Sequence, residues 1–224
     1  MDKETLALVL FNLGAIQFGQ FKLKMHEQYP NAPLSPIYIN LRIPSNKGNL
    51  TDELVEEIGW QFYNIADSEN LYYQRIAGLP KAGDPLAEAF ILASDGILCS
   101  EELLYLEKEE TESRRRILSD IRGVSQEGET ALVIDDMITR ATTKIEGVDA
   151  LRVNNLLVTD CIVLVDREQG GVQQLAEYGV QLHALFTMTE LLNIYVESKY
   201  ITKETQQKVA GYQKEVEKYL KKHS

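Results

Sequence analysis

Two adjacent carboxylates, Asp135 and Asp136, follow the apolar run Ala131-Leu132-Val133-Ile134 and precede a turn bearing Thr139, Thr142 and Thr143. Acids at the carboxyl end of a buried strand can accept hydrogen bonds from sugar hydroxyls or hold a hydrated Mg²⁺, which prefers oxygen ligands. On a strand the two side chains would point to opposite faces, but where the backbone turns both can reach one ligand. A helix opening after residues 139–143 would aim its first N–H groups at a phosphate. Glycine usually provides the close approach in such a cradle, whereas this turn carries Arg140-Ala141. A helix N-cap beside a solvated acid would give the same letters. Paired acids with a hydroxyl-lined anion pocket suit a sugar phosphate better than nucleic acid or a peptide.

Two further sets share this layout. Asp166-Arg167-Glu168 ends the apolar run 161–165 and is followed by Gly170-Gly171. Arg167 can offer a planar fork to a carboxylate or an imide edge, or it can pair with Asp166 or Glu168. Gly78-Leu79-Pro80-Lys81-Ala82-Gly83-Asp84-Pro85 makes a tight turn before a helix. Such a turn suits a diphosphate, although a bare structural turn would read the same.

The elements that must position these sets can be read from periodicity. Residues 3–18 read as an amphipathic helix, 18–24 and 35–42 as strands, and Thr51 as the N-cap of a helix carrying Leu54, Val55, Ile58 and Phe62. Strands are then predicted at 72–78, 97–99, 130–135, 158–165 and 180–185, and helices at 86–92, 142–153, 171–178 and through 187–220. Alternation of this length implies an α/β fold with a mostly parallel sheet and helices on both faces. The charged stretch 107–116 has no apolar member, so it reads either as a solvated helix face or as a mobile loop closing over an anion.

Composition sets the outer bounds. At 224 residues the chain fits one domain, with 1–65 as an N-terminal portion and 66–224 as the core and C-terminal helices. A net charge of −11 argues against a nucleic-acid or anionic-membrane binder, which needs a basic face. Cys99 and Cys161 are far apart within apolar runs, as expected of free thiols in a reducing compartment. The start lacks a basic leader and no apolar run reaches 18 residues, so a soluble, cytoplasmic protein without a membrane partner is expected.

These three strand ends, in this order and spacing, resemble the type I phosphoribosyltransferases, and more narrowly the orotate phosphoribosyltransferase family. The resemblance runs from about Leu13 to Lys203, and its most specific part is 160–171 with 179–185. Residues 18–24 and 35–42 resemble that family's small N-terminal hood. The resemblance implies transfer of ribose 5-phosphate from phosphoribosyl pyrophosphate to orotate, with Mg²⁺ as cofactor and a homodimer as the assembly. Asp135 and Asp136 would then meet the ribose hydroxyls, and Thr139, Arg140, Ala141, Thr142 and Thr143 the ribose phosphate. Lys24, Arg167 and the backbone of Ile37 and Tyr38 would frame orotate, and Lys81 with its turn would face the pyrophosphate. Lys108 would act at the reacting end. No residue is assigned as a dedicated metal ligand.

The chain also departs from the pattern. An acid, Glu107, replaces the family's loop arginine, and Thr111 stands where a further lysine is expected. Ala141 replaces the phosphate-loop glycine, and Ala82 stands where some members have lysine. A weakened or non-catalytic homologue that binds nucleotide or phosphoribosyl pyrophosphate as a sensor or partner subunit is the alternative. Transfer to another base is a third.

Overall fold

The computed structural model describes residues 1–23, 25–94, 96–98, 102–110 and 115–223. It divides into two compact units: residues 1–41, 48–50 and 189–224, and residues 42–47 and 51–188. The expected N-terminal portion is thus shared out, with 1–41 in the first unit and 51–65 in the second.

In the first unit, helix α1 (Lys3–Asn12) starts where Asp2 accepts the Thr5 N–H at 2.8 Å. It ends well before residue 18, because Gly14 takes a left-handed φ of 71° and turns the chain into strand β1 (Ile16–Phe21). Phe18 therefore belongs to a strand. β1 pairs antiparallel with β2 (Ser35–Ile39), and the short α2 (Met25–Gln28) lies between them in sequence. Helices α7 (Met188–Glu197) and α8 (Lys203–His223) complete the unit. Tyr195 is buried and donates its hydroxyl to the Ala7 carbonyl at 2.9 Å, while its ring packs with Phe11 and Phe18. A buried tyrosine of this kind joins apolar area to a satisfied polar tip.

In the second unit, Thr51 caps α3 (Asp52–Ser68) as expected, with its hydroxyl accepting the Leu54 N–H at 3.3 Å. Leu54, Val55, Ile58 and Phe62 face inward at helical spacing and are buried. The remaining elements are β3 (Arg75–Gly78), α4 (Gly83–Ala93), β4 (Leu103–Glu110), β5 (Arg115–Arg122), β6 (Ala131–Ile138), α5 (Thr142–Val153), β7 (Asp160–Asp166), α6 (Gly171–Glu177) and β8 (Gln181–Thr187). Six strands form one sheet in the order β5-β4-β3-β6-β7-β8, all parallel except β5. The interior strands β6 and β7 are buried along nearly their whole length, as strands covered on both faces must be.

Two expectations are corrected here. No strand forms at residues 97–98, and Cys99 lies outside the described residues. The charged stretch is not helical: β4 and β5 form an antiparallel hairpin at the sheet edge, and residues 111–114 between them lie outside the described residues. Leu104, Leu106 and Ile117 are buried along it, and the register sets Glu109 against Arg116. Leu104 and Leu106, two positions apart, anchor β4, while Glu107 and Glu109 beyond them are exposed. Among the described residues no helix is long and apolar enough to cross a membrane.

Candidate functional site

Strand order dictates where the site falls. From β3 the chain moves to β4 on one side and later returns to β6 on the other, so the carboxyl ends of β3 and β6 diverge into a crevice. Open α/β sheets bind ligands at such a switch point. A cavity of about 480 Å³ lies there. Pro80, Lys81 and Ala82 line it after β3, Lys108 from β4, and Asp135, Asp136 and Met137 from β6. Thr143 and Lys144 enter from the first turn of α5, and Arg42, Ser45, Asn46 and Lys47 from the segment that joins this unit.

The diphosphate-type turn is pressed against the acid strand. Gly78 pairs in register with Ile134, and the Pro80–Lys81 peptide is cis. A Cβ on Gly83 would collide with the Ile134 carbonyl oxygen, so only glycine permits this approach. Lys108 Nζ donates to the Pro80 carbonyl at 3.4 Å, tying the hairpin to the turn.

The acids lie within β6 and not at its end, since the strand continues to Ile138. Both are nevertheless at the cavity, and both are buried. Lys144 Nζ, itself only 6% exposed, donates to Asp135 Oδ2 at 2.5 Å and also to the Met137 carbonyl. Asp135 Oδ1 accepts the Asp136 N–H, and Asp136 Oδ1 accepts the Met137 N–H. Burial pushes the Asp136 carboxyl up, and the neighbouring Asp135 charge adds to this, against the pull of Lys144. Burial works against the Lys144 ammonium, but the two aspartates outweigh it and hold its pKa above the ordinary lysine range. Asp84, in the first turn of α4, is pushed up to about 6 by burial, Glu88 and Asp135.

The phosphate-type turn shows why alanine is tolerated. Ala141 has φ −80° and ψ 1°, a conformation open to any L residue, so glycine's freedom is not needed there. Its N–H donates to Gln174 Oε1 at 2.8 Å. Of residues 139–143, Thr143 is the one that lines the cavity, while Thr139, Arg140 and Ala141 form the turn leading into α5 and Thr142 is the first residue of that helix. Arg167 follows β7 directly and its N–H donates to the Ile138 carbonyl at 2.9 Å, which sets it beside the end of β6. Asp166 accepts the Glu168 N–H at 2.8 Å and so shapes the turn to α6.

Ile37 and Tyr38 lie on β2 of the first unit, where the Ser35 hydroxyl donates to the Ile37 carbonyl at 2.6 Å. Lys24 lies outside the described residues. Lys144, Gln174, Arg42 and Lys47 were not singled out from the sequence. A lysine in the first turn of a helix reads as solvent-facing, and the one signal available was its place nine residues after the first acid.

The described residues hold no group of three or more His, Cys, Asp or Glu able to cage a metal. One Asp135 oxygen is committed to Lys144 and the other to a backbone N–H. This donor set fits a Mg²⁺ that takes most of its oxygens from ligand phosphates and water, with Asp136 beside it.

No family model matches the chain. It is 30% identical over 206 residues to uridine 5'-monophosphate synthase of Bos taurus, covering 91% of this chain and 39% of that protein. It is 29% identical over 182 residues to orotate phosphoribosyltransferase of Thermoplasma volcanium, covering 81% and 96%. The chain therefore spans about two fifths of the longer synthases and nearly the whole of the shorter enzyme. Among solved structures, UMP synthase of Leishmania donovani superposes with a TM-score of 0.72 at 28% identity, over 95% of this chain and 42% of that one. The chain is thus similar over most of its length to orotate phosphoribosyltransferases, and it has the type I phosphoribosyltransferase fold.

Proposed function

We propose that the chain transfers ribose 5-phosphate from phosphoribosyl pyrophosphate to orotate, releasing pyrophosphate and forming orotidine monophosphate for pyrimidine nucleotide synthesis. The observation that carries this reading is a crevice lined together by the buried acid pair, Lys81 and Lys108. In the reaction the bond from ribose C1 to the diphosphate oxygen breaks, its electron pair leaves with pyrophosphate, and an orotate ring nitrogen, giving up its proton to the released pyrophosphate or to water, closes the new bond. Positive charge builds on the ribose, so fixed negative charge near it and cations on the leaving group both lower the barrier.

Lys81, Lys108 and the 80–82 turn neutralise the leaving diphosphate. Asp136 receives ribose hydroxyls, and Asp135 is held in place by Lys144. Thr143 and the 139–142 turn take the 5-phosphate, with Arg167 turned toward orotate. Mg²⁺, carried by the diphosphate next to Asp136, would add charge neutralisation at the leaving group. The assembly we propose is a homodimer in the cytoplasm, by likeness to the family and from the composition.

Incubating the purified protein with phosphoribosyl pyrophosphate, Mg²⁺ and a panel of bases tests the reading. Consumption of orotate in preference to uracil, adenine and hypoxanthine is expected. Consumption of another base, or tight binding of phosphoribosyl pyrophosphate with no base consumed, contradicts it.

A further inference from the structure

Residues 42–47 form a short excursion that packs with the second unit, although Leu41 and Gly48 on either side belong to the first. The segment is folded rather than loose. Pro44–Asn46 make one 3₁₀ turn, in which the Asn46 N–H donates to the Ile43 carbonyl and the Lys47 N–H to the Pro44 carbonyl, both at 2.9 Å. Lys47 ends it in the left-handed region at φ 62°, a conformation that costs a non-glycine residue roughly 1 kcal/mol. The Asn46 side chain donates to the Lys81 carbonyl at 3.4 Å, which hooks the segment to the diphosphate turn.

Charge gives this placement its meaning. The cavity is lined by five cationic side chains, Arg42, Lys47, Lys81, Lys108 and Lys144, against two acids, in a chain whose net charge is −11. Lys144 pairs with Asp135, and Arg42, Lys47, Lys81 and Lys108 line the same space as Asp136. A cleft lined by more cationic than acidic residues focuses its field on an anionic ligand.

We propose that Arg42 and Lys47 are a second diphosphate-binding wall, meeting the pyrophosphate end of the ligand beside the Lys81 turn. This rests on the phosphoribosyl pyrophosphate reading for its natural ligand, but its chemistry is recognition of a polyphosphate. Arginine supplies a planar fork and lysine a point charge, a combination suited to vicinal phosphate oxygens.

Calorimetric titration of the full chain with inorganic pyrophosphate, with and without Mg²⁺, tests it separately from turnover. The variants are Arg42→Gln, Lys47→Gly and their combination. Lys47→Gly removes the charge while suiting the left-handed backbone, so it should fold at least as well as the parent. Each single change is expected to weaken pyrophosphate binding about tenfold, and the pair more, with an unchanged Tm and the KM for orotate little altered. Lys47→Arg should retain most of the affinity. Pyrophosphate affinity within twofold of the parent in the double variant would overturn the proposal, as would a parent that does not take up pyrophosphate. A parent that binds pyrophosphate through these residues yet makes no orotidine monophosphate would sink the orotate reading and leave this wall standing.

Discussion

Lys144 and Asp135 form a buried ion pair at 2.5 Å, with the Lys144 ammonium also donating to the Met137 carbonyl. Helix α5 is thereby locked to the strand that bears the acid pair. A pair this deep is strongly coupled: removing one partner strands a charge, whereas removing both does not. Lys144→Met or Asp135→Asn alone should each cost about 3–5 kcal/mol in urea unfolding. The double variant should lose less than the two singles added together. Strict additivity would mean the pair does not hold the site together.

Asp84 carries the clearest pH signature. Its Oδ1 is buried with no hydrogen-bond partner among the described residues, and its folded value of about 6 lies above the ordinary 3.8. The folded state keeps a proton there that the unfolded state loses, so stability falls as pH rises from about 4 through 6. Asp84→Asn should remove that penalty. Its urea midpoint should rise above the parent's at pH 8 and approach it at pH 4. Equal effects at both pH values would contradict the assignment.

Two glycines should respond in opposite directions. Gly83→Ala drives a methyl into the Ile134 carbonyl, a backbone atom that cannot step aside, at an expected cost of about 1–3 kcal/mol with displacement of the diphosphate turn. Gly211, within α8, has open space where its Cβ would go. Gly211→Ala should therefore stabilise by about 0.5–1 kcal/mol. Thermal melts of the two variants side by side check both signs.

Lys108 reaches the diphosphate turn from the β4–β5 hairpin. Lys108→Gln is expected to raise the KM for phosphoribosyl pyrophosphate about tenfold, the equivalent of one charge-assisted hydrogen bond near 1.5 kcal/mol. Its KM for orotate should move much less. Steady-state kinetics with each substrate varied in turn separates the two.

Much of this was legible in the letters. Helix α5 has the bounds its periodicity implied, Thr51 caps α3, and the apolar runs before Asp135 and Asp166 are central strands. What escaped was set by tertiary contact. The 103–122 hairpin hides its apolar anchors, Leu104, Leu106 and Ile117, among charged residues such as Glu107, Glu109 and Arg122. Asp135 and Asp136 did not mark the end of β6, because its pairing with β7 continues to Ile138 opposite Asp166. Lys144 could be recognised as an internal counter-charge only once α5 was placed across β6. Arg42 and Lys47 gained their meaning when residues 42–47 folded back beside Lys81.

The most direct measurement is product identity. Purified protein given orotate, phosphoribosyl pyrophosphate and Mg²⁺ should yield orotidine monophosphate and pyrophosphate in equal amounts, identified by mass spectrometry and coupled phosphate release. Asp136→Asn should reduce the rate at least a hundredfold without unfolding the chain. Pyrophosphate release that does not depend on orotate, or no nucleotide above the blank, would contradict the account.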